Sequence, residues 1–409
     1  MGGKMKKSEN DIVIVSAVRT PFSKVGGALK YVHSTDLGCI VIKESLERAN
    51  LQGEVLDELY YGMCDQAEAA LYDNVNGRQA LLRAGLPPNL VSLTIDRACC
   101  SSLTAVHLGR RAILLGEANT CMAVGAENMS NTPLLINGHR WGERLQPLLV
   151  QDYLNPITYR EYQPIAVDAG NVAVEHGISR EEQDKWALGS QQKWAAADKA
   201  GKFRDELVPV EIPQKRGDPV IFDRDEFPKP NSTLEKLSSL NTVYGSPTVT
   251  AGNAPGLDAG ASAVIIMKRS KADELGIQAL ATIVSVSSGA SAPWKIAELP
   301  GLIIPKALKK AGLSIDDMEL IEINEAFAAV TLTSTKMIAE NDEKKWRDLL
   351  EKTNVNGGAI AIGHPVGASG GRILMTMMYE LRRRGGGYGV CAICGGLAQG
   401  DCVIIKVDE

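Results

Sequence analysis

The sequence lacks the features of membrane and secreted proteins. No apolar run among its 409 residues is long enough to cross a bilayer, and runs such as 359–362 are far too short. The N-terminal segment carries basic residues with no apolar stretch behind them, so it does not predict a secretory signal. A formal net charge of -5 argues against a broad nucleic-acid surface. We therefore expect a cytoplasmic protein with no membrane span and no nucleic-acid partner.

Metal-ligand patterns are also missing. The 8 cysteines would suit a disulfide framework only in a small secreted chain, and Cys39, Cys64 and Cys121 stand in apolar surroundings typical of buried free thiols. Cys391 and Cys394 form one Cys-x-x-Cys pair, but a structural zinc site needs four ligands, and no second pair stands at a suitable spacing. We expect no metal.

What the sequence does contain is a regular alternation of short, β-branched segments and helical segments. That alternation predicts an α/β fold around a buried, largely parallel sheet. A chain of 409 residues predicts two or three domains rather than one. The predicted strands are 11–17, 59–62, 91–95, 120–125, 263–267, 281–286, 317–323, 357–362, 389–393 and 402–407, and the predicted helices are 36–49, 76–84, 101–115, 180–200, 305–311, 370–384 and a segment ending at 338.

The segment from about 129 to 247 interrupts this alternation. It is rich in Pro, Asn, Tyr and charged residues, and only 180–200 is predicted as a clear helix, capped at Ser179. Long irregular insertions of this kind usually form a lid or bind substrate. We expect a first domain at 10–270 that includes this loop domain, and a second domain at 279–409.

The two parts of the chain repeat one order of elements. In the first, a strand leads to Cys99, a helix, a turn and a strand; in the second, a strand leads to His364, a helix, a glycine-rich turn and a strand. This weak repeat predicts a duplicated α/β unit. Equivalent strand ends would then meet across a pseudo-twofold axis, so we expect Cys99 and His364 to face each other.

Cys99 stands where a helix begins. The helix dipole and the free N–H groups of a first turn favour a thiolate, which is a nucleophile. The alternative is that Cys99 and Cys100 are a small apolar pair packed behind a strand.

Two further residues extend the chemistry. His364 lies in a glycine-rich turn and is a candidate general base for Cys99, although a lone histidine is more often structural. Cys394 precedes two glycines that allow close approach of a ligand, and a thiol can give or take a proton from a weak carbon acid. The alternative for Cys394 is a buried residue at a strand end.

The segment 324–327, Asn-Glu-Ala-Phe, completes the set. Asn324 offers neutral donors where charge develops on a carbonyl oxygen. Glu325 is either a base or a carboxylate that accepts backbone N–H groups and fixes the turn. Together these residues predict acyl transfer through a thioester.

These motifs closely resemble those of the thiolase family. The resemblance implies the thiolase fold, with duplicated α/β halves in a five-layer α-β-α-β-α arrangement and an inserted loop domain, assembled as a homodimer or homotetramer. The matching segments are C-C-S-S-L from Cys99, N-E-A-F from Asn324, G-H-P-V-G-A-S-G-G-R from Gly363, C-G-G from Cys394, S-A-V-R-T-P-F near the start and V-T-A-G-N-A before the second half.

The resemblance also implies a role for each residue. Cys99 would be the acylated nucleophile, His364 its base, and Cys394 the group that exchanges a proton with the methyl carbon of acetyl-CoA. Asn324 would hold a water that forms one oxyanion hole with His364. Backbone N–H groups of Cys99 and Gly396 would form the other. The implied reaction is CoA-dependent cleavage of a 3-ketoacyl-CoA to acetyl-CoA and a shortened acyl-CoA, or the reverse Claisen condensation.

Coenzyme A would be a co-substrate, and no permanently bound cofactor is expected. Lys229 would lie near the nucleotide, with one more solvated charge as the equal alternative, and Tyr244 would flank the ligand. The residues implied for the pantetheine tunnel are Ala251, Pro255, Ala326 and Phe327, with Pro255 in place of the usual serine.

Several departures from the family pattern concern the substrate more than the reaction. Asp258-Ala259 replaces the common Asn-Asp, the loop 163–171 differs from the usual sequence, Cys100 replaces a smaller residue, and Leu397-Ala398 interrupts a glycine triplet. We therefore expect an unusual acyl group, branched, cyclic or carboxylated.

Two alternatives remain beside this reading. A decarboxylating ketoacyl synthase shares the fold, but the second reactive cysteine and N-E-A-F argue against it. The other alternative is a non-catalytic CoA- or lipid-binding subunit, or a scaffold in a multienzyme complex.

Overall fold

Most strands of the chain join one large mixed sheet. The computed structural model describes residues 7–69, 73–136, 142, 149–154 and 159–408. Within these residues the strands are β1 (Ile12–Arg19), β2 (Ser23–Lys24), β3 (Glu58–Gly62), β4 (Val91–Ile95), β5 (Thr120–Asn128), β6 (Leu134–Ile136), β7 (Val150–Asp152), β8 (Val210–Ile212), β9 (Val220–Phe222), β10 (Asp258–Lys268), β11 (Ala281–Ala290), β12 (Met318–Ile323), β13 (Gly387–Gly395) and β14 (Gln399–Val407).

The helices lie between these strands. They are α1 (Ser34–Arg48), α2 (Asn76–Arg83), α3 (Ser101–Leu115), α4 (Ile165–Glu175), α5 (Arg180–Lys199), α6 (Leu234–Ser238), α7 (Arg269–Glu274), α8 (Leu299–Ala311), α9 (Ala328–Ile338), α10 (Glu343–Glu351), α11 (Ala359–Ile362) and α12 (Ser369–Arg383). In the described part of the chain, no helix is long and apolar enough to cross a membrane.

The two ends of the large sheet have the same topology, which confirms the predicted duplication. The strand order is β4-β3-β5-β10-β1-β11-β14-β13-β12. In the first half β3 pairs in parallel with β4 and β5, and β10 and β1 follow antiparallel. In the second half β12 pairs in parallel with β13 and with Thr353, and β14 and β11 follow antiparallel. The halves join where Val13 of β1 pairs with Thr282 of β11.

The expectation of a largely parallel sheet is wrong. Most neighbouring strands run antiparallel, because β13 and β14 are joined by a tight hairpin and β10 and β11 return beside strands of opposite direction. The strands β1 and β5 are buried along their whole length, which explains why their central residues are mostly apolar instead of alternating.

Three apolar clusters account for the layers. One packs α1 and α2 against the outer side of the first half, and one packs α8 and α9 against the outer side of the second half. The third places Leu103 and Val106 of α3 with Leu374 and Met378 of α12 between the two halves. The helices α3 and α12 therefore form the central layer, and both begin at the predicted functional motifs.

Several helices differ from prediction. The segment from 129 to 247 contains α4 as well as α5, and α5 starts at the predicted Ser179 with a capping box to Glu182. The polar residues of α4, Asp168, Asn171 and Glu175, recur at spacings of three and four, so a helical period was present in the sequence and was missed. Helix α8 begins at Leu299, before the predicted 305, because Pro305 is accommodated inside it. The parts 137–141, 143–148 and 155–158 of the expected loop domain lie outside the described residues.

The predicted strand 357–362 is also wrong, because Ala359–Ile362 forms the short helix α11. Its backbone donors find side-chain acceptors instead of a neighbouring strand. The N–H of Gly358 donates to Ser190 Oγ (3.0 Å), and the N–H of Ile360 donates to Glu325 Oε2 (3.1 Å). The segment is buried and apolar, so its periodicity could not separate a strand from a helix.

Glu325 was expected to be either a base or a structural carboxylate, and its contacts are those of a structural carboxylate. Its carboxylate is fully buried and accepts four hydrogen bonds. Oε1 accepts from Trp186 Nε1 (2.9 Å) and Asn354 Nδ2 (3.1 Å). Oε2 accepts from Ser190 Oγ (2.8 Å) and from the Ile360 N–H. These bonds tie α5, α11 and the end of β12 together, and they leave no lone pair directed at a substrate.

We predict that Glu325→Gln lowers the free energy of unfolding by about 3 kcal/mol, because an amide presents one acceptor oxygen and sets its NH₂ against two donors. Chemical denaturation of purified protein measures the change. The exposed Glu319→Gln is the matched control and should shift stability by less than about 0.5 kcal/mol. Equal stability of the two variants would contradict the structural role of Glu325.

Candidate active site

Cys99 is held at the start of α3 by a strained turn. Ala98, just before it, has a φ of 50°, which a residue with a Cβ rarely adopts. Two side chains hold that turn: Asp96 Oδ1 accepts the Ala98 N–H (2.8 Å), and the Ser101 hydroxyl donates to the Ala98 carbonyl (2.7 Å). Cys99 remains partly exposed, so the turn presents the thiol at the first turn of the helix.

The turn that carries His364 lies against the start of α3 through a contact between glycines and backbone. A Cβ at Gly370 would lie 2.7 Å from the Leu103 nitrogen. The N–H of Gly371 donates to the Ser102 hydroxyl (3.0 Å). Only glycines permit so close an approach, and the contact packs the helix that follows His364 against the helix that follows Cys99.

The end of β13 lies on the other side of Cys99. A Cβ at Gly395 would lie 2.7 Å from the carbonyl oxygen of Arg97 and 3.0 Å from the sulfur of Cys100. Cys394, the preceding residue, is fully buried. A Cβ at Gly396 would fall on the hydroxyl of Tyr159, so this glycine is required by the packing.

Neither thiol is held as a thiolate, which differs from the expectation for Cys99. Burial raises the pKa of Cys99 well above its usual value, and the nearby Cys394 adds to the shift. Burial also raises the pKa of Cys394 to about 12. The loss of solvation therefore outweighs the helix dipole, and both groups are protonated thiols at neutral pH.

The hydrogen bonds of His364 determine which ring nitrogen carries its proton. The ring Nδ1 lies 2.6 Å from the Ser369 hydroxyl, whose own proton is donated to the Pro365 carbonyl (2.8 Å). The hydroxyl must then accept from Nδ1–H, which leaves a lone pair on Nε2. Burial, with a contribution from the Arg372 cation, lowers the pKa of His364 to about 3, so the ring is neutral.

Asn324 lies beside this lone pair. Its Nδ2 is 3.5 Å from His364 Nε2, and its side chain is fully buried. The Asn324 N–H donates to the Ala392 carbonyl (3.0 Å), which fixes the residue to β13 beside Cys394. The structure thus brings together Asn324 and His364, and places both next to the strand end that carries the second cysteine.

The residues expected to bind CoA form a group next to this centre. The Ala328 N–H donates to the Asn253 carbonyl (2.9 Å), which holds the turn from 251 to 255 against the Asn324 motif. Ala326 and Phe327 are buried there, whereas Ala251 is exposed and Pro255 is half-buried. These four residues of the expected tunnel therefore share one region.

Lys229 and Tyr244 lie further out. Lys229 is exposed, and its ammonium group lies 4.8 Å from the centre of the Phe227 ring. Burial raises the pKa of Asp258 to about 7, and the charge of Lys229 opposes this rise. The Asp258 carboxyl also accepts the His364 N–H (2.6 Å). Tyr244 is 61% exposed and lies two residues after Thr242, which forms an isolated β-bridge with Thr250.

Sequence reasoning missed two residues in this region. Glu127, at the end of β5, accepts the N–H groups of Cys64 (3.0 Å), Asp65 (2.8 Å) and Gly367 (2.8 Å), and so links two loops around the site. Its position after a buried strand was the available signal. Tyr159 stands in an irregular segment that carried no signal. Cys39 and Cys64 were expected to be buried but are partly exposed, whereas Cys121 is buried as expected.

Comparison with known proteins agrees with this geometry. The model of the thiolase N-terminal domain matches residues 12–270, and that of the thiolase C-terminal domain matches residues 277–407. The acetyl-CoA acetyltransferase of Syntrophomonas wolfei subsp. wolfei is 41% identical over 403 residues, which are 97% of this chain and 99% of that protein.

Solved structures agree as well. The crystal structure of human mitochondrial 3-ketoacyl-CoA thiolase has a TM-score of 0.91 at 40% identity, covering 98% of this chain and 100% of that one. The structure of human mitochondrial 3-ketoacyl-CoA thiolase in complex with CoA has a TM-score of 0.90 at 39% identity, covering 98% and 99%. The predicted thiolase fold is confirmed, and the chain belongs to the thiolase family.

Proposed function

We propose that this thiolase cleaves a 3-ketoacyl-CoA to acetyl-CoA and a shortened acyl-CoA, or runs the reverse condensation, through an acyl group carried by Cys99. Coenzyme A is the co-substrate, and no permanently bound cofactor takes part. The observation that supports this most directly is a histidine whose Nε2 bears a lone pair and whose partner is Asn324, in a segment packed against the start of the helix that Cys99 precedes.

In the first half-reaction the Cys99 sulfur attacks the 3-keto carbon and its proton passes to His364 Nε2. The pKa of Cys99 is raised and that of His364 is lowered, so no ion pair is stable beforehand and the proton moves as the C–S bond forms. The N–H groups of Cys99 and Gly396 stabilise the alkoxide. The bond between carbons 2 and 3 breaks, and the Cys394 S–H protonates the carbon of the acetyl-CoA enolate.

In the second half-reaction the CoA thiol attacks the acyl carbon on Cys99. Its proton replaces the one that Cys394 gave up, and His364 returns its proton to the departing Cys99 sulfur. A water held by Asn324 and His364 stabilises the thioester oxygen of acetyl-CoA when the enolate forms. All groups then regain their starting protonation.

The surroundings of Cys99 favour an uncharged acyl group. The carboxyl of Glu127 is close enough to contribute to the raised pKa of Cys99, and those of Asp65 and Asp96 act together with it on nearby Cys64. A carboxylated acyl chain would meet these groups, and Arg97, the cation two residues before Cys99, is already paired with Asp401 (2.8 Å). Of the expected acyl classes, we therefore favour a branched or cyclic, uncharged chain next to the phenol of Tyr159.

We also propose a domain division, a set of CoA contacts and a cellular compartment. The chain divides into domains at 10–270, with a loop domain at about 129–247, and at 279–409. Lys229 and Tyr244 contact the nucleotide part of CoA, while the tunnel of Ala251, Pro255, Ala326 and Phe327 holds the pantetheine. The protein is expected to be cytoplasmic.

We also propose a homodimer formed through β4. This strand ends the large sheet, so its outer hydrogen-bonding edge is unpaired within the described chain. Val91 and Leu93 are 63% and 50% exposed on it. Pairing with β4 of a second copy would satisfy the edge and cover both side chains.

The first test is intact-protein mass spectrometry after brief exposure to acetyl-CoA and to a panel of 3-ketoacyl-CoAs. Wild-type protein should gain the acyl mass, Cys99→Ala should gain none, and uncharged acyl groups should accumulate more than carboxylated ones. Cys121→Ala, which removes a buried thiol elsewhere, is the matched control and should behave as wild type. No adduct from any donor on folded protein that binds CoA would favour the non-catalytic alternative.

The second test separates the two cysteines. Cys394→Ala should still be acetylated on Cys99 by acetyl-CoA, because that step uses His364 as base. Exchange of the acetyl-CoA methyl hydrogens with deuterium should fall by at least about 100-fold, since the proton acceptor is gone. Mass spectrometry follows both readouts in D₂O. Equal loss of acetylation and exchange would contradict the separate role of Cys394.

The third test concerns assembly. Leu93→Lys should convert the dimer to a monomer in sedimentation velocity, because a charge on a pairing edge opposes sheet extension. Val220→Lys, on the exposed hairpin of β8 and β9, is the control and should leave the dimer intact. A monomeric wild type, or a Leu93→Lys variant that stays dimeric, would contradict this interface.

A further inference from the structure

Arg372 is a buried cation with one hydrogen bond. It lies on α12 with a relative exposure of 1%, and among the described residues its Nε and Nη1 have no partner. Nη2 donates to Asn324 Oδ1 over 3.3 Å. Glu322 Oε2 lies 3.6 Å from Nη1, beyond hydrogen-bond distance, and is itself unpartnered. The one directional contact of this guanidinium is therefore with Asn324.

That contact determines how the Asn324 amide points. Arginine has donors and no acceptor, so Asn324 must turn its oxygen toward Arg372 and its NH₂ toward His364 Nε2. If the amide were flipped, its NH₂ would face the Arg372 donor and its oxygen would face the lone pair of His364 Nε2.

The orientation continues through His364. The Asn324 NH₂ faces the Nε2 lone pair, Nδ1–H donates to Ser369, and the Ser369 hydroxyl donates to the Pro365 carbonyl. A donor-only guanidinium lies at one end of this chain of bonds and an acceptor-only carbonyl lies at the other. Each bond direction in between follows from these two ends.

The charge of Arg372 acts in the same direction. It opposes protonation of His364, the effect second only to burial in lowering the pKa of that ring. The charged groups that face Arg372 are Glu322 from β12, Glu325, Glu206 and Arg19, and the carboxyl that contacts His364 is Asp258, at its backbone N–H. Burial raises the pKa of Glu322 to about 8, so this carboxyl neutralises less of the positive charge of Arg372.

We propose that Arg372 is a positioning residue: it orients the Asn324 amide and thereby keeps His364 as a neutral base with its lone pair on Nε2. This rests on the proposed function, because it assigns Arg372 a part in proton removal from Cys99 and in the oxyanion hole that Asn324 supports.

The experiment compares Arg372→Met, which removes the donors and the charge, with Arg372→Lys, which keeps a donor-only cation. The rate of Cys99 acetylation by acetyl-CoA is measured across pH by quenched-flow mass spectrometry. Arg372→Met should acetylate roughly 10- to 100-fold more slowly, with the acetyl-CoA concentration for half-maximal rate unchanged. Arg372→Lys should recover most of the rate.

The pH profile distinguishes positioning from stability. Loss of the cation lets His364 take a proton more easily, so the acidic limb of the rate should move to higher pH by about 1 unit in Arg372→Met. Met378→Ala, a buried truncation on the same helix, is the matched control. It should be destabilised while keeping the wild-type rate and pH profile. A folded Arg372→Met with unchanged rate and acidic limb would overturn the inference.

The test still decides if Arg372→Met fails to fold or if the wild-type protein is not acylated. If Arg372→Met does not fold, Arg372→Gln replaces it; its amide can donate or accept, so the same slower rate and shifted limb are expected, and a wild-type profile would overturn the inference. If wild-type protein forms no acyl-Cys99, the proposed function fails instead. If Arg372→Lys is acetylated as slowly as Arg372→Met, the positioning role of Arg372 would also be overturned.

Discussion

The close contact between the starts of α3 and α12 is the constraint on which the site depends. Gly370 and Gly371 let the backbone of one helix approach the first turn of the other within distances that any side chain would prevent. Each helix belongs to a different half of the duplicated sheet and each begins at a functional motif. The segments that carry the thiol and the histidine pack together because two backbones touch, and Glu127 strengthens the contact by accepting the Gly367 N–H.

Burial then determines the chemistry available at this contact. It raises the pKa of both cysteines and lowers that of His364, so the resting site contains neutral acids and a neutral base. This neutrality of the reacting groups suits an uncharged acyl chain. It also makes proton transfer coincide with bond formation, since an isolated thiolate beside an imidazolium would be poorly solvated here. Directional hydrogen bonds, more than fixed charges, therefore organise the reaction.

Much of this could be predicted from the sequence, and the failures have physical reasons. The bounds of α3 and β4 were predicted to the residue, because clear turns and periodic apolar positions flank them. The strand at 357–362 was wrong because that segment is apolar on every side and no period marks it, whereas the polar residues of α4 do recur with a helical period that was missed. The contacts of Tyr159 and Arg372 depend on chain partners far apart in sequence, which composition and spacing cannot reveal.

The departures from the family pattern at Leu397 and Ala398 show how a backbone can be kept while its side chains change. Both residues have positive φ, 57° and 52°, a conformation that costs a residue with a Cβ about 1 kcal/mol or more. The long antiparallel ladder of β13 and β14 closes on this turn at Gly395 and Gln399, and the Ser291 N–H donates to the Ala398 carbonyl (2.9 Å). The ladder thus imposes the turn that a glycine would adopt freely. The Ala398 side chain is fully buried in the apolar cluster that packs α8 and α9 against the second half. The backbone of this turn is therefore kept by its neighbours while its side chains differ from the family pattern.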